Sequence, residues 1–132
     1  MAFMLHSTDD GHVPAWEYKL MKAGETPQVG LGVAFDGAGK IIKSKKPTHI
    51  CMHTAEAALA ADAMVPVIAI APDQVWESML YMTPLAAVHE GTVMGLSDSA
   101  LYVDPDNTAD DVFRVDYVED QTMGAAVRGR FV

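Results

Sequence analysis

The sequence predicts an all-β fold, a small barrel or sandwich with room for one or two short helices. Three observations carry that expectation. Short runs alternating apolar and polar residues outnumber stretches of helical period. Seven prolines and ten glycines interrupt those runs at the intervals of a small barrel or sandwich. At 132 residues with half of them hydrophobic, the chain is long enough to bury its own core without disulfides or a structural metal. A single domain over residues 14–132 is expected, preceded by an unpatterned arm over residues 1–13 that includes Asp9-Asp10-Gly11. That arm is read either as mobile and ordering on a partner or as a merely frayed terminus.

Trp16-Glu17-Tyr18-Lys19-Leu20 opens the domain with period two, placing Trp16, Tyr18 and Leu20 on one strand face. Residues 30–35 and 40–43 follow as strands around Asp36-Gly37-Ala38-Gly39, a hairpin connector in which glycine reaches positive φ without steric cost. Residues 49–53 and 64–71 are the next strands, the second nearly all apolar and therefore covered on both faces. Residues 75–81 come next, with Trp76 and Met79 on opposite faces. Residues 92–96 and 100–103 flank a Ser97-Asp98-Ser99 turn.

The last hairpin, residues 112–131, has a readable register. Pairing it antiparallel sets Phe113 opposite Phe131 on the buried side and Asp116 opposite Arg128 outside, with Phe113, Val115, Tyr117, Val127 and Phe131 in the core. Two segments are helix candidates. Residues 54–61 follow an N-cap threonine with alanines, leucine and glutamate, and residues 83–91 carry threonine, an early proline and a terminal glycine, with a loop as the competing reading of the second.

Nine Lys and Arg against 18 Asp and Glu leave a net charge of −9, which repels phosphate backbones and argues against nucleic-acid binding. No apolar run is long enough to span a membrane and no cleaved signal is evident, so a soluble, non-exported chain is expected. The lone Cys51 requires no oxidising compartment. Residues 1–66 carry 6 basic and 7 acidic side chains and residues 67–132 carry 3 and 11, so the halves are −1 and −8. Lys40, Lys43, Lys45 and Lys46 on one side and Asp104, Asp106, Asp110 and Asp111 on the other either meet between copies or form two solvated loops.

Catalytic signatures are not met. Gly30-Leu31-Gly32 supplies two glycines of a dinucleotide fingerprint with Phe35 in the third place, and Gly37-Ala38-Gly39-Lys40 ends like a phosphate loop but has Ile41 where Ser or Thr would hold magnesium. Ser97 lies in no Gly-x-Ser-x-Gly elbow. His49, Cys51 and His53 share a strand face with donors suited to zinc, but a strand spaces same-face side chains about 6.5–7 Å apart, too far for one ion to reach all three. A small buried Cys51 with histidines at the strand margins is the expected outcome. The acidic run 104–111 lacks the sixth-position glycine of a calcium loop and has Val115 in place of its closing glutamate. The sequence is therefore read as a non-enzyme with no catalytic, cofactor-binding or metal residues.

Four segments carry a resemblance: residues 13–18 (Val-Pro-Ala-Trp-Glu-Tyr), 46–52 (Lys-Pro-Thr-His-Ile-Cys-Met), 65–73 (Val-Pro-Val-Ile-Ala-Ile-Ala-Pro-Asp) and 124–131 (Gly-Ala-Ala-Val-Arg-Gly-Arg-Phe). Their order over residues 13–131 resembles small capsid-associated proteins of tailed phages and prophages, of the head decoration or head fibre type. The resemblance implies a compact β module on the capsid exterior, made in the bacterial host cytoplasm, without enzyme activity. Its partners would be the major capsid protein and further copies of itself, a trimer favoured. Relatives tend to have tyrosine and serine where this chain has His49 and Cys51, which argues against a general metal site. A head fibre base and a small β-barrel metal- or ligand-binding enzyme are the alternatives.

Overall fold

The computed structural model describes residues 2–132, and among them all regular structure is β. The chain folds as a closed five-stranded barrel packed against a six-stranded sheet. The barrel consists of β2 (Glu17–Met21), β3 (Gly32–Phe35), β4 (Ile41–Lys43), β5 (His49–Cys51) and β6 (Ala63–Ala69), closing in the order β2-β4-β3-β5-β6. The sheet takes β1 (Met4–Thr8), β7 (Gln74–Met79), β8 (Val93–Leu96), β9 (Val103–Asp104), β10 (Phe113–Val118) and β11 (Ala126–Phe131), ordered β1-β7-β11-β10-β8-β9. The β3–β4 hairpin forms as its connector predicts: Gly37 and Gly39 have φ of 91° and 84°, and Asp36 Oδ1 accepts hydrogen bonds from the Ala38 and Lys40 amides.

Two cores result from period-two alternation on curved walls. Met21, Val33, Ile41, Cys51, Val65 and Val67 fill the barrel. Ile50 and Ile68 point from the barrel's outer wall into the second core, where they join Phe3, Trp76, Leu80, Phe113, Val115 and Val127 of the sheet layer. The two-sided apolarity of residues 64–71 is thus covered, for Ile68 and Ile70, within one chain.

The structure departs from the sequence expectations at four places. The segment read as an unpatterned arm contains β1, an edge strand paired with β7, because buried Phe3 anchors it against the rings of Phe113 and Phe131 at 5.7 and 5.1 Å. Met1 lies outside the described residues. Residues 54–61 are not helical, since their amides bond across the chain: Ala55 N donates to Pro27 O and Leu59 N to Glu25 O. Of the two readings of residues 83–91 the loop holds, tied down where the Gln121 side chain bonds both the amide and the carbonyl of buried Val88. The strand expected over residues 100–103 begins only at Val103, because Ala100 adopts φ 58° and inserts its methyl into the barrel core.

The fourth departure lies in the last hairpin. Phe113 does pair with Phe131, and Phe113, Val115 and Val127 are fully buried. A bulge at Asp116 then shifts the phase, so Tyr117 rather than Asp116 lies opposite Arg128. Tyr117 consequently turns outward, 45% exposed, with the Arg128 guanidinium 4.9 Å over its ring. Arg128 forms its ion pair with Glu77, its neighbour on β7, at 2.9 Å. Phe131 is only partly buried.

Candidate interaction surface

The β2–β6 ladder presents an apolar face left largely uncovered among the described residues. Its register sets Tyr18 opposite Pro66 and Leu20 opposite Met64, while Met21 and Val65 point into the barrel. Trp16 precedes β2 in the same phase. Trp16, Tyr18 and Met64 are 53%, 61% and 59% exposed, and Leu20 and Pro66 are half-buried. The face predicted from alternation is therefore real but turned to solvent. A five-stranded barrel holds compact aliphatic side chains, and the wide rings of Trp16 and Tyr18 are accommodated outside. On the other face of β2, Glu17 and Lys19 pair at 3.3 Å, ahead of buried Met21. Contiguous apolar surface with exposed aromatic rings is characteristic of contact surfaces, because such rings bury large area at low entropy cost.

The residues weighed as metal ligands do not converge. β5 ends at Cys51, whose buried thiol donates to the His53 carbonyl oxygen, and the His53 side chain is exposed. Burial holds the Cys51 thiol above its usual pKa. His49 is buried at the barrel wall, 2.8 Å from Thr48 Oγ1 and edge-on to Phe35, and burial lowers its pKa. In the acidic stretch, Asp104 accepts from the Asp106 amide and Asp110 from the Asn107 side chain, so these carboxylates organise their own loop. Three of the four lysines of the basic segment pair within the chain: Lys40 with Asp62 at 2.8 Å, Lys45 with Asp98 at 3.1 Å and Lys46 with Asp110 at 3.5 Å.

One cluster escaped the sequence reading. Asp10, His12 and Asp73 bring ligand atoms within 4.8 Å of one another, the one such group among the described residues. Asp10 and His12 are hydrogen-bonded, and each shifts the other, the carboxyl downward and the imidazole upward in pKa. Asp73 comes from the turn before β7, far off in sequence, so only the Asp-Gly-His word at residues 10–12 offered a local signal. One cleft of about 310 Å³ opens beside the barrel, with Glu25 and Lys43 as its titratable lining residues. Comparison with protein-family models and with curated proteins finds no match for this chain.

Proposed function

We propose that the chain is a virion structural protein, a capsid decoration protein that self-associates and binds the outer shell of a phage or prophage head. The observation that carries this reading is the stripe of exposed Trp16, Tyr18 and Met64 with half-buried Leu20 and Pro66, an assembly face on the barrel wall. The order of segments over residues 13–131 supports the capsid assignment by resemblance. Function on this reading is additive. Each copy buries a modest area on the shell and on its neighbours, and the repeating lattice converts a weak contact into firm attachment. The partners are further copies of the chain, a trimer favoured, and the major capsid protein.

Light scattering over a concentration series tests self-association. The expected result is a mass that rises with concentration above the 14.2 kDa of one chain, is unchanged or raised by salt, and falls to the monomer in a Trp16→Ser/Tyr18→Ser variant. A constant monomer mass, or an assembly dispersed by salt but indifferent to the double substitution, overturns the stripe as the contact. In the strain that encodes the chain, heads banded by density should carry it in many copies. Particles without it overturn the virion assignment.

A further inference from the structure

The loop after β1 and the turn before β7 meet at the edge of the six-stranded sheet, and Arg130 organises the meeting. Its guanidinium donates to both carboxylate oxygens of Asp9, at 2.8 and 3.1 Å, and to the Pro72 carbonyl oxygen at 3.0 Å. The Asp9 amide adds a bond to the Asp73 carbonyl oxygen at 2.9 Å. This frame consumes the local cation. Arg130 is spent on Asp9, with Asp116 as its other acidic neighbour, so among the described residues His12 is the one basic side chain paired with Asp10 and Asp73, and its amide also donates to Asp10. Two carboxylates against one imidazole leave negative charge uncompensated at a position where donors from two distant segments converge.

We propose that Asp10, His12 and Asp73 form a binding site for a divalent transition ion of the zinc type. The donor set is two carboxylate oxygens and one imidazole nitrogen, and a neutral imidazole with two carboxylates balances a 2+ ion. Metal–ligand bonds of 2.0–2.2 Å in a tetrahedron place ligand atoms about 3.4 Å apart. His12 Nδ1 and Asp73 Oδ2 already lie 3.6 Å apart. Asp10 is exposed and held through Oδ1 by both the amide and the imidazole of His12, and turning its carboxylate exchanges the imidazole bond for a metal bond. The imidazole selects against calcium and magnesium, which take all-oxygen shells. The fourth position opens to solvent, and the ion staples the β1–β2 connection to the turn that starts β7.

Isothermal titration of the metal-free protein with zinc chloride tests the site. One ion per chain is expected, with affinity lowered at least about tenfold in each of His12→Ala and Asp73→Asn. His53→Ala and His89→Ala, which alter exposed histidines elsewhere, should bind as the parent does. The substitutions lie at or near the surface, and Trp76 fluorescence reports that each variant is folded. Binding weaker than about 1 mM overturns the proposal, as does zinc binding indifferent to His12→Ala. Displacement of zinc by equimolar calcium or magnesium overturns the assigned class of ion.

Discussion

Replacing the two facing phenylalanines of the last hairpin separates what alternation implies from what packing decides. Both belong to the buried face by sequence, yet Phe113 is completely buried whereas Phe131 is only partly so. Phe113 contacts Phe3 at 5.7 Å and Phe131 at 5.3 Å between ring centroids. Phe113→Ala removes a fully buried ring, leaves a cavity and cancels two aromatic contacts, for a loss of about 3–5 kcal/mol. Phe131→Ala gives up less buried surface, and the hole it leaves opens to water, so its loss is about 1–3 kcal/mol. Against a domain stability of about 5–15 kcal/mol, the first loss is large. Urea titration in the Trp16→Ser/Tyr18→Ser background, followed by fluorescence of buried Trp76, measures both. With a slope of about 2 kcal/mol/M, Phe113→Ala should move the midpoint down by about 2 M at unchanged slope. A loss below about 1 kcal/mol for Phe113→Ala, or an equal or greater loss for Phe131→Ala, refutes the assignment of Phe113 to the centre of the core.

Other consequences follow from particular contacts. Gly129→Ala places a methyl 2.1 Å from the Arg114 carbonyl oxygen and 2.7 Å from the Phe113 ring, so it should destabilise by at least about 2 kcal/mol in the same titration. The Cys51 thiol, buried and shifted upward, should resist a thiol-specific reagent at pH 8 in the native state and react at once in denaturant; fast native labelling contradicts its placement. Burial lowers the His49 pKa, so the native state takes up a proton less readily than the unfolded chain. Stability from this group is therefore complete above the ordinary value of 6.5 and is lost as pH falls below it, a slope that His49→Gln should flatten in thermal melts between pH 7 and 5. Asp9, held low by Arg130, contributes stability above its ordinary 3.8 and loses it as pH falls through the lower folded value. Asp9→Asn should accordingly differ from the parent at pH 6 and converge with it in strong acid.

Local pattern determined the all-β class, the β3–β4 hairpin and the start of the β10–β11 register. Each follows from period two, from turn residues and from a pairing that satisfies both faces at once, all properties of neighbouring residues. Alternation assigns side chains to faces but not faces to sides. Trp16, Tyr18 and Leu20 share a face by sequence, and only closure of the barrel turned that face outward. One inserted residue at Asp116 reversed the face of Tyr117, since a bulge shifts every following side chain by half a period. Residues 54–61 and 83–91 have local helical preference, but backbone bonds to residues 25–27 and to Gln121 outweigh what a two-turn helix could offer alone. The convergence of Asp10, His12 and Asp73 was decided in the same way, because it rests on pairing β1 with β7 across more than sixty residues of intervening barrel.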